Sequence, residues 1–187
     1  IPVGQALRRD AAQAGDDIWI SGTLGDARLA LASARHEVAL DHASHSAAAL
    51  RLHAPTPRVA LGLALRGVAH AAIDLSDGLS GDLGHILQRS GCGALVNLDA
   101  LPLGPVLARQ PQALQREFAL AGGDDYELCF TAAATQRAAV LAAARTSGTA
   151  VTRIGTITPA ASGLQLVDAS GATLDLQFSS FDHFSSP

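Results

Sequence analysis

The segment Ala71 to Leu79 (AAIDLSDGL) passes from an apolar run into a polar turn and then directly into helical spacing. Ala71 to Leu75 has the length and aliphatic character of a buried strand. Ser76-Asp77-Gly78 is turn chemistry, and Leu83, Ile86 and Leu87 then recur at helix intervals until Gly91 supplies a stop. A strand feeding straight into a helix needs a sheet with helices laid on it, which constrains the fold more than any other feature of the chain.

The remaining pattern agrees. A β-like run, Ile18 to Ser21, ends at Gly22, and helices are expected from Leu24 to about Arg35 and from Ser44 to His53. Pro55 and Pro57 break the second of these, and Pro57 starts a further helix to about Val68. Gly93 to Leu98 reads as a strand. Pro105 to Leu120 reads as two short helical pieces interrupted near Pro111, and Tyr126 to Thr131 reads as a strand. Thr135 to Arg145 is an alanine-rich helix, and strands follow at Val151 to Ile157, Leu164 to Asp168 and Thr173 to Phe178. The expected fold is α/β (α+β): a mixed β-sheet covered by helices. With 187 residues there is room for one domain, or two small ones.

Composition narrows the function classes. At 48% hydrophobic but only 4% aromatic, the core must be aliphatic and alanine-rich, and a net charge of -4 argues against disorder. All 13 basic residues are Arg, so P-loop, Schiff-base and carbamylated lysines are excluded. These Arg residues are scattered rather than gathered into a basic face, which argues against a nucleic-acid partner. No apolar stretch of about 18 residues is free of charge, so no membrane span is expected. Two Cys without metal spacing suit buried thiols in a reducing, cytoplasmic setting. The absence of Met, with a start at Ile1-Pro2-Val3, leads us to expect a piece of a longer chain.

Acidic residues fall in glycine-flanked turns: Asp16-Asp17, Asp74 with Asp77, and Asp124-Asp125. Open α/β sheets bind ligands at such strand ends, although Asp is also favoured in any turn or N-cap. In Asp74-Leu75-Ser76-Asp77, two carboxylates flank a hydroxyl at a helix start, where free N–H groups favour phosphate. Carboxylates repel phosphate unless a divalent cation lies between, and Mg²⁺ suits one or two carboxylates plus phosphate oxygens. A plain capped turn, with Ser76 or Asp77 as the cap, fits the same residues. Gly122-Gly123-Asp124-Asp125 permits close backbone approach or positive φ, and it also reads as a tight turn with solvated charges. His42-x-x-His45 lacks further converging ligands, and His36, His53, His70 and His85 stand singly in helical stretches. Neither a nucleophile elbow nor a Walker loop occurs.

Four segments in order, GQALRRDAAQAGD (Gly4 to Asp16), AIDLSDGLSGDLGHI (Ala72 to Ile86), GGDDYELCFT (Gly122 to Thr131) and FDHFSSP (Phe181 to Pro187), give the chain a clear likeness. It resembles the C-terminal portion of the bacterial thiamine-monophosphate kinases, within the ATP-binding superfamily that includes aminoimidazole ribotide synthetase. The resemblance implies transfer of the γ-phosphoryl group of ATP to thiamine monophosphate, with Mg²⁺, in a cytoplasmic enzyme that is a homodimer at full length. It implies that Asp74 and Asp77 hold metal, that Ser76 and Arg9 contact ATP, and that Asp124 and Phe181 contact the thiamine substrate. No catalytic base is implied, because the acceptor is itself a phosphate oxygen. Asp124 stands where the family usually has Glu, and Arg9-Asp10-Ala11-Ala12 replaces its Arg-Ser-Gly-Ala. The resemblance further implies that residues 1–187 are a C-terminal domain lacking its N-terminal ATP- and metal-binding partner domain, hence a half-site with little activity alone. A superfamily enzyme with another small acceptor, or a non-catalytic structural domain, are the competing readings.

Overall fold

The computed structural model describes residues 3–175. Its centre is a six-stranded mixed sheet in the order β2-β4-β1-β5-β3-β6. The strands are β1 (Asp16–Ser21), β2 (Ala71–Asp74), β3 (Cys92–Asn97), β4 (Leu128–Ala133), β5 (Val151–Pro159) and β6 (Leu164–Val167). All neighbours are antiparallel except β3 and β6, which run parallel. The expected mixed α/β fold is therefore the observed one.

Strand alternation explains why helices cover both faces. In β1, Ile18 and Ile20 point into a large aliphatic core, while Trp19 points the other way. The larger core is filled by α1 (Asp26–Ala34), α4 (Leu79–Ser90) and α5 (Gln112–Ala121), with α2 (His42–His53) packed on α1. On the opposite face Trp19 stacks on Phe130, with ring centroids 6.4 Å apart, beneath α3 (Val59–Ala64) and α6 (Arg137–Ser147). Only two aromatic rings are needed there because Leu61, Leu65, Val140 and Ala143 complete the layer.

Several elements depart from expectation. The helix expected to reach Val68 stops at Ala64, and Gly67 takes φ 73° just beyond it. The strand expected from Tyr126 begins at Leu128, because Tyr126 has φ 50°, which no strand residue adopts. Thr173 makes an isolated bridge to Val167, and residues 176–178 of the last expected strand lie outside the described residues. Asp16-Asp17 is not a turn but the buried start of β1. Asp16 faces His70 Nδ1 at 2.9 Å, and Asp17 is gripped by Arg137 and Arg153. His70 consequently lies at the entry to β2 rather than in a helix.

Candidate functional site

The turn after β2 is organised from within α4. Leu79, Asp82, Leu83 and Ile86 are all buried on one stripe of that helix, so a carboxylate sits among core side chains. Asp82 resolves this by turning back on the loop: one of its oxygens accepts the backbone N–H groups of Ser76 and Asp77, each at 3.0 Å. Burial pushes its pKa up, and the charges of Asp77 and Asp74 push it further. Two expectations change here. Neither Ser76 nor Asp77 caps α4, whose N-cap is Gly78 at φ 105° without a side-chain bond. The Ser76 and Asp77 N–H groups, expected to be free for a phosphate, are taken by Asp82.

The Gly122–Glu127 loop lies directly on this turn. Asp124 N–H donates to the Ser76 carbonyl at 2.9 Å, Tyr126 N–H to the Leu75 carbonyl at 2.8 Å, and Leu75 N–H to the Glu127 carbonyl at 2.8 Å. A Cβ on Gly123 would stand 2.5 Å from the Ser76 oxygen, and one on Gly78 would stand 2.9 Å from the Ala121 carbonyl. The two glycines thus serve contact between the loops, each being the one residue that fits. Left-handed backbone also falls on Asp124 (φ 67°) and Tyr126, non-glycine positions at which such geometry is costly and often functional.

Buried charge holds the far side of this loop. Glu127 is fully buried, and its carboxylate receives Arg58 through Nε and a terminal nitrogen, both at 2.6 Å, and Arg51 at 2.8 Å. Ser21 Oγ donates to it at 2.5 Å while accepting the Leu128 N–H. Desolvating a carboxylate costs several kcal/mol, and this set of donors offsets it. Arg51 also donates to the Asp125 carbonyl at 3.1 Å. The Asp125 carboxyl is itself buried, accepts the Gly25 N–H on both oxygens at 2.9 Å, and has its pKa pushed up to about 8 by burial. The solvated-turn reading of these acids therefore fails for Asp125 and Glu127.

Two cavities meet at Asp74, which stands exposed at the end of β2. One, of about 600 Å³, is polar and is lined by Arg8, Arg9, Asp10, Asp74 and Arg89 among others. Arg8 is engaged with Asp10 through its Nε at 2.8 Å. The other, of about 450 Å³, is apolar and is walled by Pro55, Pro57, Val59, Tyr126 and Leu128, with Arg58 and Asp74 at its edge. The fold thus brings Arg9, Asp74, Ser76, Asp77 and Asp124 into one region, while Phe181 lies outside the described residues. Among the described residues no three metal-ligating side chains converge. Asp74 and Asp77 carry hard carboxylate oxygens of the kind Mg²⁺ shares with phosphate oxygens and water, and in that chemical sense they fit the ion.

Sequence reasoning missed Asp82, Arg51 and Arg58, and it included Glu127 in the acidic motif without a role of its own. A signal existed for two of them: Asp82 falls on the apolar stripe of α4, and Glu127 shares the strand face of Cys129. The arginines are brought in from a separate segment and carry no local mark.

A mixed sheet with helices on both faces, and a strand-end site built by two interlocked acidic loops, defines the class. Residues 13–167 match the family model for the AIR synthase related protein C-terminal domain, and the chain belongs to that family. Within it, the chain is similar to thiamine-monophosphate kinases. It is 42% identical over its whole length to that of Salmonella typhimurium, of which it covers 58%. The crystal structure of thiamine-monophosphate kinase from Stenotrophomonas maltophilia superposes with a TM-score of 0.82 at 50% identity, covering 89% of this chain and 54% of that one. The complex of AaThiL with AMPPCP and TMP superposes with a TM-score of 0.76 at 29% identity, covering 95% of this chain and 54% of that one. The chain therefore spans little more than half the length of the relatives it matches. No described helix is long and apolar enough to cross a membrane.

Proposed function

We propose that this chain is the C-terminal domain of a cytoplasmic thiamine-monophosphate kinase that transfers the γ-phosphoryl group of ATP to thiamine monophosphate, giving thiamine diphosphate and ADP. The observation that carries this reading is the 2.9 Å bond from Asp124 N–H to the Ser76 carbonyl, which joins the phosphate-side turn to the acceptor-side loop. Polar and apolar cavities then share Asp74, as a reaction between a polyphosphate and a phosphorylated heterocycle requires.

In this reading Arg9 faces the ATP phosphates, Ser76 contacts the nucleotide, and Asp74 and Asp77 hold Mg²⁺. The apolar cavity takes the acceptor rings. Asp124 offers its carboxylate to the cationic thiazolium end or the aminopyrimidine, and Phe181 is a further contact of the same substrate. Bound Mg²⁺ neutralises the charge of the phosphate oxygens. The chain's own residues supply orientation: the clamped loops keep donor and acceptor sides at fixed separation, which is most of what phosphoryl transfer asks of a protein. The residues preceding this domain complete the metal and nucleotide site, and the full-length protein is a homodimer.

The test is an assay of the full-length protein with Mg²⁺-ATP and thiamine monophosphate, following thiamine diphosphate. Asp74→Asn with Asp77→Asn should lower turnover by about 100-fold or more, as loss of charge neutralisation at a phosphoryl group does. Turnover that survives the double change would refute the metal assignment. Preference for another phosphorylated or carboxylated acceptor would refute the substrate.

A further inference from the structure

Arg51 and Arg58 come from the segment between α1 and β2, far from either acidic loop in sequence, yet both end on Glu127. Arg58 spends two nitrogens on that carboxylate and also stands at the edge of the apolar cavity. Arg51 holds the same carboxylate and the carbonyl of Asp125. The residues on either side of Asp125, Asp124 and Tyr126, have φ of 67° and 50°. A loop with two non-glycine residues in left-handed backbone persists only if its surroundings over-determine it. On one side it is over-determined by the carbonyls of Leu75 and Ser76, and on the other by this charge cluster. The same two arginines tether the Pro55–Pro57 wall of the cavity, since Arg51 lies just before it and Arg58 just after it.

We propose that Arg51 and Arg58, gathered on Glu127, are positioning residues for the acceptor: they set the Asp124–Tyr126 backbone and the opposing proline wall at one spacing and so fix the width of the apolar cavity. This rests on the acceptor assignment of that cavity made above. The cluster acts through Asp124 and Tyr126, and it need not touch the reacting atoms.

The test has two arms. In the full-length protein, Arg58→Gln removes the two-nitrogen grip while leaving Arg51 to neutralise Glu127. Amide hydrogen exchange at Asp124 and Tyr126 should rise by about tenfold or more, with Trp19 in the central ladder unchanged, as for a local opening. In the full-length protein the same change should raise KM for thiamine monophosphate by about tenfold and leave KM for ATP within about twofold. Glu127→Gln, which leaves both arginines one neutral acceptor oxygen, should give shifts at least as large in the same direction. Unchanged exchange at Asp124 and Tyr126, an equal rise at Trp19, or raised exchange with an unchanged acceptor KM would each overturn the proposal. A full-length protein that ignores thiamine monophosphate refutes the kinase reading instead, and the exchange arm then still decides whether the cluster sets the loop.

Discussion

Asp82 holds Asp77 by its backbone: one carboxylate oxygen accepts the Asp77 N–H at 3.0 Å, and the same atom accepts that of Ser76. A side chain in the first turn of α4 thereby shapes the loop that precedes the helix, reversing the usual direction of capping. Asp82→Ala leaves two N–H groups without an acceptor in a part-buried turn and should cost about 2–4 kcal/mol in urea unfolding. Asp82→Asn keeps an oxygen there and should cost about 1 kcal/mol. Equal losses for both changes would show that the two N–H bonds are not what Asp82 supplies.

The interlocked loops predict opposite outcomes for glycine-to-alanine changes. Gly123→Ala forces a Cβ to 2.5 Å from the Ser76 oxygen, and Gly78→Ala combines φ 105° with a 2.9 Å approach to Ala121. Each should destabilise by about 2 kcal/mol or more. Gly84, inside α4, has nothing within 4 Å of its would-be Cβ, so Gly84→Ala should stabilise by about 0.5–1 kcal/mol. Thermal unfolding of the three variants side by side would check the ordering.

Burial lifts the Asp125 carboxyl from the ordinary value of 3.8 to about 8, against the Gly25 N–H and Arg51, which favour its charged form. A folded state that binds a proton more tightly than the unfolded chain loses stability as pH rises. Asp125 should therefore subtract stability progressively between about pH 4 and about pH 8, by at most about 1.4 kcal/mol per pH unit. Asp125→Asn should flatten that slope, as read by urea unfolding at pH 5, 6, 7 and 8.

Asp17 behaves in the opposite sense. Its hydrogen bond from Arg137, helped by Arg153, holds the carboxyl below the usual range. Its contribution is complete above the unfolded value and is lost as pH falls through the lower folded one. Both arginine side chains are about half exposed, at 52% and 44%, so screening reduces what the pair is worth. Asp17→Asn should cost about 2 kcal/mol at neutral pH and progressively less as pH falls below the ordinary carboxylate range. A cost that stays constant with pH would show that burial of the side chain, rather than its charge, matters.

Legibility of the sequence followed range. The β2–turn–α4 unit is visible because its apolar run, turn residues and helical stripe are contiguous, and the observed ends differ from the expected ones by a residue at most. The motifs around Asp74 and Asp124 could each be found alone. Their union depends on backbone bonds between Ser76 and Asp124, and a carbonyl carries no side-chain signature. Asp16 and Asp17 were misread because a preceding glycine suggests a turn, whereas their partners His70, Arg137 and Arg153 are all remote in sequence. Tyr126 follows strand composition, but its φ of 50° is imposed by the neighbouring loop and not by its own propensity.

β1 sits in the middle of the sheet, between β4 and β5, with Asp17 opposite both Ala132 and Thr156. A ribosome emits it long before either neighbour. At about 5–20 residues per second, the strand waits on the order of ten seconds for its second partner. Until β4 is made, Ile18, Trp19 and Ile20 have no sheet to enter and both backbone edges are open to strands of other chains, and one edge stays open until β5 follows. The domain should accordingly fold in one late, non-local step rather than vectorially, and its yield during synthesis should depend on factors that shield this one segment.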